Sequence, residues 1–182
     1  MDDGRNGFTF DRVDQGSTQS VSSIVERFQA REAVIGVVGL GYVGLPLACI
    51  FAKRGFSVLG FDIDAAKIDE INAGSSYISY IDSEEISDLR RADRLYATSD
   101  FARIAEVDAI ILCVPTPLTP QREPDLTFVV RTTETIARYL RRGQLVVLES
   151  TTYPGTSRDI LRPILERGGL RSDHDFFLAY SP

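Results

Sequence analysis

The sequence predicts an α/β fold, a doubly wound parallel sheet of about six strands with helices on both faces. Three observations carry that expectation. Short apolar, β-branched runs recur along the chain and alternate with stretches of helical periodicity, the order that builds a parallel sheet through right-handed crossovers. The first run, Val34-Ile35-Gly36-Val37-Val38, enters directly a set of glycines at Gly39, Gly41 and Gly44, and a helical pattern follows. The second run, Phe56 to Phe61, delivers Asp62 to the end of a strand roughly 20 residues beyond those glycines.

Composition bounds the function. At 182 residues, 43% hydrophobic and 25% charged, the chain has room for one ordinary domain with a sizeable core. A formal net charge of -6 without any basic run argues against nucleic acid and anionic membranes as partners. Arg90-Arg91 and Arg141-Arg142 read as solvated helix ends. No apolar run approaches the about 18 residues of a membrane span, and no signal core opens the chain, so the expected location is the cytoplasm.

Residues 1–20, rich in Asp, Gly, Ser, Asn and Gln, are expected to form a disordered tail. A short amphipathic helix is expected over 21–33, because Val21, Ile24, Val25 and Phe28 fall at i, i+3, i+4 and i+7. It would dock on the domain's own sheet or on a partner subunit. The domain itself is expected over 34–182.

Gly39, Gly41 and Gly44 form G-x-G-x-x-G between a strand and a helix. The first supplies a tight turn, the second room for backbone to approach a pyrophosphate, and the third close packing of helix on strand. The helix that follows aims free N–H groups and its positive dipole end at the same loop. Leu45, Leu47, Ala48, Ile50, Phe51 and Ala52 supply its apolar face, and Lys53-Arg54-Gly55 ends it. Asp62 then stands where a carboxylate can accept from both hydroxyls of an adenosine ribose and repel a 2′-phosphate. Together these make a Rossmann-type dinucleotide site that favours NAD over NADP.

The remaining elements follow in order. Asp64 to Ala73 reads as a helix with Ile68 and Ile71 inward and Gly74 as its stop, whereas Tyr77 to Ile81 is ambiguous. Ser83 to Arg91 reads as a helix capped by Ser83, and Arg94 to Thr98 as the third strand. Val107 to Val114 is the fourth strand, and Pro115-Thr116-Pro117 takes the chain out of the sheet. After a polar loop, Asp125 caps a helix from Leu126 to Leu140. Gln144 to Leu148 is the fifth strand, Thr156 to Arg167 a helix closed by Gly168-Gly169, and Phe176 to Ala179 the start of a sixth strand.

All the informative loops leave the sheet at its C-terminal edge, where one ligand can touch several of them. Thr116, Ser150 and Thr151 fit two roles from their chemistry alone, bonding the nicotinamide half or a catalytic water, or capping turns. Lys67 lies near the adenosine end as a cofactor contact or a solvated lysine. Cys49, in a helix, and Cys113, in an apolar strand, read as small core residues with little thiolate. The single histidine, His174, sits in a polar turn and is expected to be solvated, and no metal site is expected.

The segments Val37-Val38-Gly39-Leu40-Gly41-Tyr42-Val43-Gly44-Leu45-Pro46-Leu47-Ala48, Phe61-Asp62-Ile63-Asp64 with Lys67-Ile68, Cys113-Val114-Pro115-Thr116-Pro117, and Glu149-Ser150-Thr151-Thr152-Tyr153-Pro154-Gly155-Thr156 resemble the UDP-glucose/GDP-mannose dehydrogenase family. The resemblance covers about Val34 to Pro182 and is closest to the branch oxidising UDP-N-acetylhexosamines. It implies an enzyme that oxidises the C6 hydroxyl of a nucleotide sugar to a carboxylate, passing hydrides to two NAD molecules in turn, with a cysteine holding a thiohemiacetal and then a thioester. It further implies that Gly39, Gly41, Tyr42, Val43 and Gly44 cradle the pyrophosphate and that Asp62 and Lys67 hold the adenosine end. Val114, Pro115, Thr116, Ser150 and Thr151 would line the nicotinamide side, with Thr151 also helping to position a water near the reacting carbon.

Family members are much longer, with a central helix through which they commonly form homodimers and a second α/β domain that carries the nucleophilic cysteine. By that resemblance these 182 residues are the NAD-binding part alone, expected to bind NAD without turnover. Two other functions fit the same residues: a free-standing NAD-binding or regulatory module, and a β-hydroxyacid dehydrogenase-like domain, which shares the glycine loop but does not account for Pro115-Thr116-Pro117 or Glu149 to Gly155.

Overall fold

The computed structural model describes residues 21–181; the expected N-terminal tail over 1–20 lies outside them. Six strands form one sheet in the order β3-β2-β1-β4-β5-β6, all parallel. They are β1 Val34–Val38, β2 Ser57–Phe61, β3 Leu95–Thr98, β4 Ala109–Leu112, β5 Leu145–Leu148 and β6 Phe177–Tyr180. From β1 the chain winds outward to β2 and β3, then returns to β4 on the other side of β1. A crevice therefore opens between the C-terminal ends of β1 and β4, the switch point of a doubly wound sheet.

Two helical layers cover the sheet. On one face lie α1 (Val21–Gln29), α2 (Gly44–Lys53), α3 (Ala65–Asn72) and α4 (Ser83–Arg91), and on the other a 3₁₀ turn (Phe101–Glu106), α5 (Thr127–Ala137) and a helical stretch from Ser157 to Gly168. The strand period of two divides β1 between them. Ile35 and Val37 join one core, Val34 and Val38 the other, and all are buried. Fully buried Leu59 and Phe61 each contribute about 1.5–3 kcal/mol by leaving water.

Several local expectations shift. Ile50, placed by its spacing on the inner face of α2, is 54% exposed, and Cys49 takes the buried position. Ser83 does not cap α4, which has Asp82 as its N-cap residue; the Ser83 hydroxyl instead accepts from the Ser76 N–H at 3.1 Å. Strand β4 stops at Leu112, so Cys113 lies beyond it and is only half-buried. The last helical stretch opens with a π turn over Ser157–Leu161, has α geometry only over Arg162–Leu165 (α6), and tightens to 3₁₀ over Glu166–Gly168. Pro163 sits in the first turn of α6, and the wider turn before it accommodates its missing N–H.

One arginine of each pair differs from the solvated end expected of it, whereas Arg91 and Arg142 are exposed as expected. Arg90 donates to the carbonyls of Asn72 and Leu95 and lies 3.9 Å from the centroid of Tyr96. Arg141 reaches Asp108, at the N-terminal end of β4, which is 3% exposed; Arg141 and Arg27 of α1 each donate to its Oδ1 at 2.8 Å, and the Val34 N–H donates to its Oδ2 at 2.9 Å. Fully buried Gln144 completes the cluster, donating to the Ile104 and Val107 carbonyls and accepting from the Arg141 N–H. With Phe28 packed on Phe56 at 6.3 Å, this network docks α1 on the domain's own sheet.

Candidate functional site

The glycine loop is fixed by backbone bonds. Gly39 has φ 93 and donates its N–H to the Phe61 carbonyl at 2.8 Å, and a Cβ on it would lie 2.7 Å from the Cys113 carbonyl oxygen. At Gly44, the first residue of α2, a Cβ would meet the Gly39 carbonyl oxygen at 1.8 Å. Both glycines are therefore required by the protein's own packing. Gly41 is different: a Cβ there would meet nothing within 4 Å. The space before its backbone is open.

That opening faces unpaired donors. The carbonyls of Gly41 and Val43 accept from the Leu45 and Leu47 N–H groups at 3.1 and 3.2 Å. Among the described residues, the N–H groups of Gly41, Tyr42 and Val43 have no hydrogen-bond partner. Helix α2 starts immediately afterwards with no side-chain cap and no acidic residue in its first turn. Consecutive free N–H groups at a helix N-terminus form an anion site, to which a pyrophosphate is suited. The loop thus fits a dinucleotide.

Asp62 stands at one end of this loop, 8% exposed. Its Oδ2 accepts from the Leu40 N–H at 2.8 Å and its Oδ1 from the Asp64 N–H at 3.0 Å, with Lys67 Nζ 3.6 Å from Oδ2. A carboxylate offers about four lone-pair sites, so capacity remains for ligand hydroxyls.

The crevice has a volume of about 780 Å³, within the usual range for a small-molecule site. It brings together every residue the sequence proposed for the cofactor except Gly44, which lies beneath: Gly39, Gly41, Tyr42, Val43, Asp62 and Lys67 at one end, Val114, Pro115, Thr116, Ser150 and Thr151 at the other. The Ser150 hydroxyl is already engaged, donating to the Val114 carbonyl at 2.7 Å and so tying the loop after β5 to the loop after β4. Thr151 is exposed to the crevice.

Sequence reasoning missed several lining residues. Cys113 lies at the crevice wall, and its thiol is pushed up to about 12 by burial and by the nearby Glu149 charge. Cys49 is likewise pushed up to about 12, by burial first and then by Glu85. Neither is a ready thiolate at neutral pH. Phe128 and Thr132 of α5 also reach the crevice, and their i, i+4 spacing is a signal that puts them on one face. Tyr77 lines it too, from a segment without periodicity. His174 is exposed in a turn, no group of three or more His, Cys, Asp or Glu among the described residues is placed to hold a metal, and no described helix is long and apolar enough to cross a membrane.

Comparison with known proteins agrees with this geometry. The model of the NAD-binding domain of the UDP-glucose/GDP-mannose dehydrogenase family matches residues 33–182. UDP-N-acetyl-D-glucosamine 6-dehydrogenase of Pseudomonas aeruginosa is 40% identical over 153 residues, covering 84% of this chain and 35% of that protein. UDP-N-acetyl-D-mannosamine dehydrogenase of Pyrococcus horikoshii is 36% identical over 149 residues, with 81% and 35% covered. The crystal structure of GDP-mannose dehydrogenase from Pseudomonas aeruginosa aligns with a TM-score of 0.78 at 32% identity, over 81% of this chain and 35% of that one. The chain spans about a third of the length of these relatives.

Proposed function

The chain belongs to the UDP-glucose/GDP-mannose dehydrogenase family as its NAD-binding domain, and on that premise we propose that it serves the oxidation of a nucleotide sugar at C6, with a UDP-N-acetylhexosamine as the substrate class. The relatives named for UDP-N-acetylglucosamine and UDP-N-acetylmannosamine dehydrogenases support that class. NAD, when bound, supplies the hydride acceptor. The residues of this chain bind and orient it. The free N–H groups of Gly41, Tyr42 and Val43 receive the pyrophosphate, and the α2 dipole adds to their attraction. Asp62 accepts from the adenosine ribose hydroxyls and Lys67 steadies that carboxylate from 3.6 Å.

At the other end Val114, Pro115 and Thr116 line the nicotinamide side, with Ser150, tied to Val114, beside them. Thr151 has a free, exposed position from which to orient a water beside the reacting carbon. Neither cysteine is proposed as a nucleophile, since burial pushes both thiols up to about 12. The 182 residues by themselves are accordingly a binding unit. The resemblance to the family further implies a homodimer acting in the cytoplasm on a nucleotide sugar.

The observation that carries this function is the row of unpaired N–H groups beside an open glycine. The test is to titrate the chain with NAD and then add UDP-N-acetylglucosamine while following absorbance at the NADH band. Binding without NADH formation is expected. Absence of NAD binding by folded protein overturns the cofactor role, and NADH formation overturns the assignment of a binding unit.

A further inference from the structure

Between α3 and α4 the chain makes an irregular excursion over 75–82, held to the domain by buried Ile78 and Ile81. Two tyrosines on it reach the glycine loop. The Tyr77 hydroxyl donates to the Leu40 carbonyl, and the Tyr80 hydroxyl to the Tyr42 carbonyl at 2.9 Å. The Tyr80 and Tyr42 rings lie 6.5 Å apart, and Lys67 Nζ, the neighbour of Asp62, lies 6.0 Å from the Tyr77 centroid. Tyr77 is half-buried, whereas Tyr80 is 64% exposed.

A trans peptide unit is planar, with its C=O and the next residue's N–H pointing in opposite directions. Fixing the Leu40 carbonyl therefore fixes the direction of the Gly41 N–H, and fixing the Tyr42 carbonyl fixes that of the Val43 N–H. These are two of the three unpaired donors of the loop. Gly41, with no Cβ and open space around it, leaves the Leu40–Gly41 peptide free to rotate, whereas the Gly41 carbonyl on its other side is already held by the Leu45 N–H. Unheld, that peptide could turn its carbonyl toward the crevice and present a phosphate with partial negative charge.

We propose that Tyr77 and Tyr80 are positioning residues for the diphosphate of the cofactor: a tyrosine strap that holds the Leu40 and Tyr42 carbonyls away from the site and so aims the Gly41 and Val43 N–H groups into it. The proposal rests on the NAD-binding function above. Burial, with the charges of Asp62, Asp64 and Glu70, pushes the Tyr77 phenol above its ordinary range, which keeps it a donor. The strap selects for the diphosphate, not for adenosine, since the held peptides are those that face phosphate.

The experiment compares the full chain with Tyr77→Phe, Tyr80→Phe and the double variant, each of which keeps its ring and its packing. Affinities for NAD and ADP-ribose are taken by calorimetry, affinity for adenosine by ligand-observed NMR, and unfolding midpoints from thermal melts without ligand. Tyr77→Phe is expected to weaken NAD and ADP-ribose about tenfold, the size of one lost hydrogen bond, with adenosine unchanged. Tyr80→Phe, at an exposed bond, is expected to weaken both a few-fold, and the double variant more than either. A purely structural role would lower the midpoint and reduce all three ligands alike, and that result overturns the strap. Wild-type affinity for NAD retained in both variants overturns the strap while leaving the NAD function standing; a wild-type chain that binds no NAD ends both.

Discussion

The two ends of the sheet use polar groups in opposite ways. At the N-terminal end, Asp108 and Gln144 are buried and satisfied: Arg27, Arg141 and the Val34 N–H fill the carboxylate, and the amide makes both its donor bonds and its acceptor bond. At the C-terminal end, three successive backbone N–H groups have no partner among the described residues, and a carboxylate with spare capacity stands beside them. Tyr42 and Val43 are exposed, so water can meet these donors until a ligand replaces it, whereas an unmet donor in the buried cluster at the other end would cost about 1–3 kcal/mol. The contrast separates polar groups that hold the fold from those kept for a ligand. Burial of a charge alone would not have separated Asp108, at 3% exposure, from Asp62, at 8%.

The sharpest way to break the comparison is at Asp108. Asp108→Ala leaves the buried Val34 N–H without its acceptor and two part-exposed guanidinium groups with carbonyl partners only, and a loss of about 3 kcal/mol is expected in urea unfolding, with NAD affinity of the folded fraction unchanged. An unchanged denaturation midpoint would show that the network contributes nothing to stability. Next come the glycines. Gly44→Ala drives a methyl to 1.8 Å from the Gly39 oxygen and is expected to lower stability by about 1–3 kcal/mol and abolish NAD binding. Gly41→Ala has nothing to collide with, so its melting midpoint should match wild type while NAD affinity falls at least tenfold. Equal effects of the two substitutions on stability would refute the distinction between packing glycines and ligand glycines.

Alkaline pH gives a smaller, distributed effect. Cys49 and Cys113 hold their thiol protons up to about 12, from an ordinary value of 9.0. Above pH 9 the unfolded chain releases these protons and the folded one keeps them, so unfolding becomes easier as pH rises. The melting midpoint is expected to fall between pH 9 and 12, and iodoacetamide at pH 8 to modify both thiols far more slowly than a free cysteine. Rapid alkylation of Cys113 would show a reactive thiol in the crevice.

Much of this was legible in the sequence because it rests on local pattern. The β-branched runs, the spacing of Gly39, Gly41 and Gly44, and Asp62 after β2 are short-range signals, and the structure brings Gly39, Gly41 and Asp62 to one crevice with Gly44 beneath it. What sequence reasoning missed depends on distant partners. Arg141 reads as a solvated charge until Asp108 is brought beneath it by the pairing of β4 and β5. Tyr77 and Tyr80 sit in a stretch with no period, and their role exists only through carbonyls on another loop. Cys113 belongs to an apolar run, yet the prolines that follow pull the chain out of the sheet before reaching them, which leaves its thiol beside the crevice.

The open donors and Asp62 are proposed to form a site for NAD and not NADP. The most direct test is calorimetric titration of the chain with NAD and then NADP, repeated on Asp62→Ala. The account predicts that wild type binds NAD with clear preference, and that the variant binds NAD at least tenfold more weakly and loses or reverses the preference. Equal binding of both cofactors by wild type, or unchanged NAD binding by Asp62→Ala, would contradict it.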